Sequence, residues 1–127
     1  MWREIEPVER HGEWMTDAVE VRFRTPQRRG VGTDYDCVTR VGPFRTVDHM
    51  TCVEWDEGVA MGIVHRGTVA GHGRFVLESI DDTHTRFCWD ESLKFPWWMG
   101  GPIGERAARP LLTRVWRANL GRLAARF

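Results

Sequence analysis

The sequence is poor in lysine, serine and tyrosine: Lys94, Ser79, Ser92 and Tyr35 are the whole supply. Two serines leave little room for serine nucleophile chemistry, and neither lies in a GxSxG turn. Cysteine is scarce too. Cys37, Cys52 and Cys88 are too widely spaced for a metal-type pair, and their odd number argues against a disulfide framework. In strand-like runs free cysteine acts as a small apolar side chain, which suits a reducing cytoplasm. Net charge is absent, with 18 basic against 18 acidic residues, so no global field draws nucleic acid. No apolar run approaches the roughly 18 residues of a bilayer-spanning helix, which argues against stable membrane insertion. Met1 leads straight into WREIEPVER, without the apolar core of a secretory leader.

Familiar binding motifs are missing as well. His11, His49, His65, His72 and His84 never fall at the i, i+4 helical spacing of a zinc motif. RGVGTDY carries GxG but precedes a strand, so it fails as a dinucleotide fingerprint. GGPIGER precedes a helix, whose amides suit an anion. It lacks the Lys-Ser/Thr of a phosphate-binding loop. No metal and no cofactor are expected.

What is present is periodicity. At 127 residues the chain (1–127) makes one domain, long enough to bury roughly two-thirds of its unfolded surface. Residues 1–17 predict two short helical turns broken at Pro7, with Trp2, Ile5, Val8 and Trp14 facing a core. Six strand-like runs follow, joined by short turns. AVEVRFRT puts Val19, Val21 and Phe23 on one face. TDYDCVTRV groups Tyr35, Cys37, Thr39 and Val41. RTVDHMTCVEWD has mixed faces, and its register stays open. VAMGIVHRG groups Val59, Met61, Ile63 and His65. AGHG predicts a turn before RFVLESI, where Phe75 and Leu77 oppose Arg74 and Glu78. TRFCWDESLKF groups Phe87, Trp89, Glu91, Leu93 and Phe95. Such a series predicts an antiparallel meander in an α+β domain.

The C-terminal segment predicts a short helical turn near residues 103–108. A long helix then starts at about Pro110, a residue suited to a first turn but not to a helix interior. Leu112, Val115, Trp116, Leu120, Leu123 and Phe127 form its apolar stripe. Residues 105–127 hold six arginines against one glutamate, a local +5 that the rest of the chain balances. Arg114, Arg117 and Arg122 lie largely off the stripe, which reads first as a solvated face. A nucleic-acid contact is not expected, because no aromatics interleave these arginines. A regulatory or toxin-like protein using them to hold a partner is a weaker reading.

Several stretches carry a family resemblance. ERHGEWM, GVGTDYD, VEWDEGVAMGIVH, THTRFCWDESLKF and ARPLLTRVWRANLGRLAA are similar to segments of the SRPBCC (START-like, polyketide cyclase/dehydrase) superfamily. Thr85, Arg86 and Trp89 match its GTRxxW strand, with His84 where glycine is usual. The resemblance covers nearly the whole chain, but it rests on fold markers rather than a catalytic signature. It implies a helix-grip fold: a curved sheet of about six strands wrapped around the long C-terminal helix, with an apolar cavity between them. It also implies a strand before the first helix, whereas this sequence begins within that helix, through a late start, a truncation or loss of the strand. Loss of the strand would open a sheet edge, and weak stability or a homodimer is then expected.

From that resemblance the ligand is expected to be a small apolar or amphipathic molecule, lipid- or polyketide-like. Expected liners are Tyr35, Met61, Ile63, His65, Phe75 and Leu77, together with Phe87, Trp89, Glu91, Trp98 and Trp116. His65 serves either as a satisfied core histidine or as a polar handle and general base. Glu91 is either one half of an ion pair or an acid able to orient a hydroxyl or move a proton. Tyr35 packs, or hydrogen-bonds a ligand carbonyl. The second functional reading is therefore a cyclase or dehydratase using His65 or Glu91. KFPWWMGGP (residues 94–102) joins the last strand to the helix. It is too short to span a membrane and, with its prolines and glycines, unsuited to a strand. It is expected to be a lid, a rim or a packed plug at the cavity mouth.

Overall fold

The computed structural model describes residues 1–127. Helix α1 (Trp2–Ile5) and a 3-10 segment (Val8–Glu13) precede six strands: β1 (Ala18–Phe23), β2 (Asp34–Val41), β3 (Phe44–Asp56), β4 (Ala60–Gly67), β5 (Ala70–Ser79) and β6 (Thr85–Lys94). A 3-10 turn (Trp97–Met99) leads into helix α2 (Gly101–Ala124). The strands form one open antiparallel sheet in sequence order, with β1 and β6 at its edges. The chain is thus α+β, a curved sheet with a long C-terminal helix. No helix is long and apolar enough to cross a membrane.

Two bulges interrupt the ladder, and each shifts the faces that simple alternation assigns. The register of β1 against β2 slips between Ala18 and Glu20, leaving Val19 57% exposed. The pattern Val19–Val21–Phe23 is corrected to Ala18, Val21 and Phe23, because an extra residue on one strand reverses the side of what precedes it. The second slip lies between Cys52 and Glu54: Val53 stays outward, and Trp55, opposite Met61, is brought to the core side. It accounts for the mixed faces of β3. Up to Cys52, the even-numbered Thr46, Asp48 and Met50 point inward. Strand β3 is also the longest, pairing with β2 through residues 44–51 and with β4 through residues 48–56.

Three further expectations are corrected. Val59 belongs to the turn before β4 and is exposed. AGHG is not a turn but the start of β5, in register with Glu91–Lys94 of β6. Its glycines lie where a side chain would strike the neighbouring strand: a Cβ on Gly71 would come 1.8 Å from the Ser92 carbonyl oxygen. The helix also runs unbroken from Gly101 through Pro110. Pro110 removes one i→i−4 bond to Arg106. Both residues lie on the exposed face, where water can take the freed carbonyl, so the penalty of an interior proline is softened.

The core forms where the N-terminal segment meets the sheet. Ile5, Val8, Trp14, Met15, Tyr35, Met61, Phe75 and Leu123 are among its buried members. Trp2 packs edge-on against Trp55, with ring centroids 5.2 Å apart. Of α2, only Gly101, Asn119 and Leu123 are buried; Phe127 is exposed. The helix is held at its C-terminal end by polar contacts. Asn119 is fully buried. Its side chain accepts from the Thr16 amide at 3.2 Å and donates to Asp17 Oδ1 at 2.6 Å, while Arg122 donates to the same Asn119 oxygen. Arg122 also donates to the Trp14 carbonyl at 3.1 Å, and Arg126 bridges Glu4 and Glu13 at 2.7 and 2.8 Å. Arg122 is therefore a structural clamp rather than part of a free basic face; Arg114 and Arg117 are exposed.

Candidate functional site: an apolar cavity with buried acids

With its C-terminal end fixed, α2 leaves a cavity of about 610 Å³ between itself and the sheet. Strand alternation supplies the walls. Tyr35 and Cys37 come from β2, Asp48 and Met50 from β3, and Met61, Ile63 and His65 from β4. Phe75 comes from β5, Trp89 and Glu91 from β6, and Leu112 and Trp116 from α2. Phe75, Trp89 and Trp116 form a continuous aromatic wall, with ring centroids 5.3 Å and 5.6 Å apart along the chain of contacts. Leu77 and Phe87, expected as liners, do not border the cavity. Phe87 packs on Phe75 and Trp14 at 5.1 and 6.4 Å, at the end of the sheet that the N-terminal segment fills.

The polar groups inside are few and close. His65 Nε2 lies 3.3 Å from Glu91 Oε2, and both side chains are 9% exposed. The two atoms face each other without an aligned hydrogen bond, so both remain buried without a partner. The other Glu91 oxygen accepts from the Trp89 indole N–H at 3.1 Å. Gly73 lies opposite Glu91 in the ladder. A Cβ there would come 2.5 Å from Glu91 Oε1, so glycine on β5 makes the space for this carboxylate.

Asp48 repeats the arrangement on the other side. It pairs with Gly67, whose added Cβ would lie 3.1 Å from Asp48 Oδ1. That oxygen is buried and has no partner. Burial raises the Asp48 pKa, and the Val69 amide, His65 and Thr46 only partly counter it. Tyr35 is 3% exposed. Burial pushes its phenol strongly upward, and the nearby acidic groups of Cys37, Cys52 and Glu91 add to the effect. The phenol thus stays protonated.

His11 also borders the cavity, but its role is structural. Its Nε2 lies 2.7 Å from the Ile5 carbonyl oxygen, which is satisfied by an N–H at that atom. Burial pulls its pKa down to about 4, against the opposing pull of that carbonyl. The remaining histidines lie elsewhere. His49 bridges Asp34 and Asp36 at 2.9 and 3.2 Å, His84 joins Asp81 in the β5–β6 turn, and His72 is exposed. No group of three or more His, Cys, Asp or Glu side chains is arranged to hold a metal ion.

At the mouth, Trp98 and Met99 border the cavity, while Trp97 is 88% exposed. A packed plug is therefore ruled out for Trp97. Gly100 and Gly101 follow with φ of 93° and 49°, values that favour glycine. The Gly101 amide donates to the Pro96 carbonyl at 3.1 Å and the Gly104 amide to Gly100 at 3.0 Å. Both are thereby withdrawn from the anion site that GGPIGER suggested.

No family model matches this chain, and no curated protein does. The site must be read from its own chemistry. Sequence reasoning missed Asp48, His11 and Asn119. For Asn119 a signal was present: it lies three residues after Trp116 and four before Leu123, within the buried stripe. For Asp48 the signal was masked by the open register of β3.

Proposed function

We propose that this protein binds a small apolar or amphipathic molecule in the cavity between sheet and α2. The fold is read as the helix-grip arrangement of the SRPBCC superfamily. One observation carries this reading: a cavity of about 610 Å³ with mainly apolar walls and a few convergent polar groups. Small-molecule sites have this character and typically span about 300–1,000 Å³. Each 100 Å² of apolar ligand surface withdrawn from water contributes about 2.5 kcal/mol gross, before the cost of immobilising the ligand. Trp98 and Met99, followed by two glycines, act as a movable rim through which the ligand enters.

The close approach of His65 and Glu91 favours a second reading. In it the pair transfers a proton within a bound polyketide-like chain, as a cyclase or dehydratase requires. Native mass spectrometry of freshly purified protein tests the first reading, with a co-purified adduct lost on denaturation as the expected result. Only the bare chain mass, before and after incubation with apolar small molecules, counts against it. Retained ligand affinity in His65→Ala and Glu91→Gln, with no turnover by the wild type, removes the enzyme reading and leaves binding.

A further inference from the structure

Taking the cavity as a ligand site, we infer that its ligand is an amphipathic amine, an ammonium head on an apolar body. Three polar atoms buried at the cavity lack an aligned hydrogen bond: Asp48 Oδ1, and His65 Nε2 and Glu91 Oε2, which face each other at 3.3 Å. Buried polar groups are almost always satisfied, so atoms left without an aligned partner and facing one space describe what a ligand brings. Two of them are carboxyl oxygens, which only accept once ionised, and an adjacent cation favours that state. An ammonium offers three donors and a positive charge.

The charge balance within the cavity points the same way. Asp48 and Glu91 stand against His65 alone. His11 is held neutral beside Ile5, and Asp17 at the rim is engaged by Asn119. Arg74 borders the cavity, but its guanidinium turns outward to Glu54 at 2.6 Å. A carboxylate head would face both acids, with neutral hydroxyls such as that of Tyr35 to donate to it, since the Trp89 N–H already donates to Glu91. The aromatic wall of Phe75, Trp89 and Trp116 adds faces that attract cations. Both acids are seated opposite glycine on the neighbouring strand, Gly73 for Glu91 and Gly67 for Asp48. The two seats are thus built the same way, with Asp48 on β3 beside the His65 strand and Glu91 on β6 beyond β5.

The test displaces a neutral fluorophore, N-phenyl-1-naphthylamine, at pH 7.5 with decylamine, decanoate or 1-decanol below their aggregation limits. Decylamine is expected to compete at a concentration at least about tenfold lower than decanoate, a difference of about 1.4 kcal/mol. Glu91→Gln, which removes the charge, and Gly73→Ala, which dislodges the carboxylate, are expected to weaken decylamine at least about fivefold. Both variants should leave 1-decanol within about twofold. Decanoate binding as well as decylamine overturns the inference, and so does an unchanged amine-to-alcohol ratio in folded variants. In both cases the fluorophore still binds and the cavity reading stands. Failure of the fluorophore to bind the wild type removes both. The wild-type comparison decides the inference even if a variant does not fold.

Discussion

His11 makes the stability of this protein sensitive to mild acid. Its ring is enclosed, with centroids 5.3 Å from Trp14 and 5.8 Å from Phe75, and its Nε2 lies 2.7 Å from the Ile5 carbonyl oxygen. Burial lowers its pKa to about 4 from the ordinary 6.5. Between those values the unfolded chain holds a proton on His11 that the folded chain does not, so stability falls as pH drops through this window. Above pH 6.5 the contribution is essentially complete; below about pH 4 the loss is. The full loss is about 3 kcal/mol, and about 2 kcal/mol of it falls between pH 7 and pH 5. Urea unfolding followed by tryptophan fluorescence at both pH values measures it. In His11→Gln the amide can still donate to Ile5 but does not titrate. Wild type should therefore lose about 2 kcal/mol more than the variant between pH 7 and 5. Taking the difference cancels the surface carboxylates common to both proteins, and Asp48, whose raised pKa acts in the opposite direction. Parallel losses in the two proteins, or a His11 ring that titrates above about pH 6 by NMR, would show that His11 is not held neutral by burial.

Two other predictions concern α2 and the cavity mouth. Asn119→Ala strips acceptor and donor from the clamp around Thr16, Asp17 and Arg122. It should cost about 2–4 kcal/mol in urea unfolding, and a loss below about 0.5 kcal/mol would show that the clamp carries no weight. Trp97→Ala should change stability by less than about 0.5 kcal/mol, because the ring is solvated. Adding Trp98→Ala should accelerate release of a bound fluorophore in stopped-flow by several-fold. Unchanged exchange would mean that the segment does not gate the cavity.

Much of the architecture was legible because β-sheets announce themselves by alternation. Tyr35, Met61, Ile63, His65, Trp89 and Glu91 fall on the cavity side as their period-2 neighbours require. The misreadings arose where local rules were overridden. Bulges at Val19 and Val53 broke the alternation. AGHG has turn chemistry, yet its glycines serve close strand approach. Pro110 has the signature of a helix start, yet lies in a helix interior where its lost bond faces water. Leu77 and Phe87 lie on the predicted side of their strands, but alternation does not tell which end of a sheet is filled by another segment. The pairing of the two acids with glycines also needed the register: Gly73 meets Glu91 only because β5 begins at Ala70.

The most direct test of the central claim is titration of the purified protein with N-phenyl-1-naphthylamine, beside Ile63→Trp, which places a bulky ring in the cavity. Saturable one-site binding to the wild type is expected, with affinity weakened by about tenfold or more in a variant that remains folded by circular dichroism. Absence of saturable binding, or equal affinity in the filled variant, would contradict it.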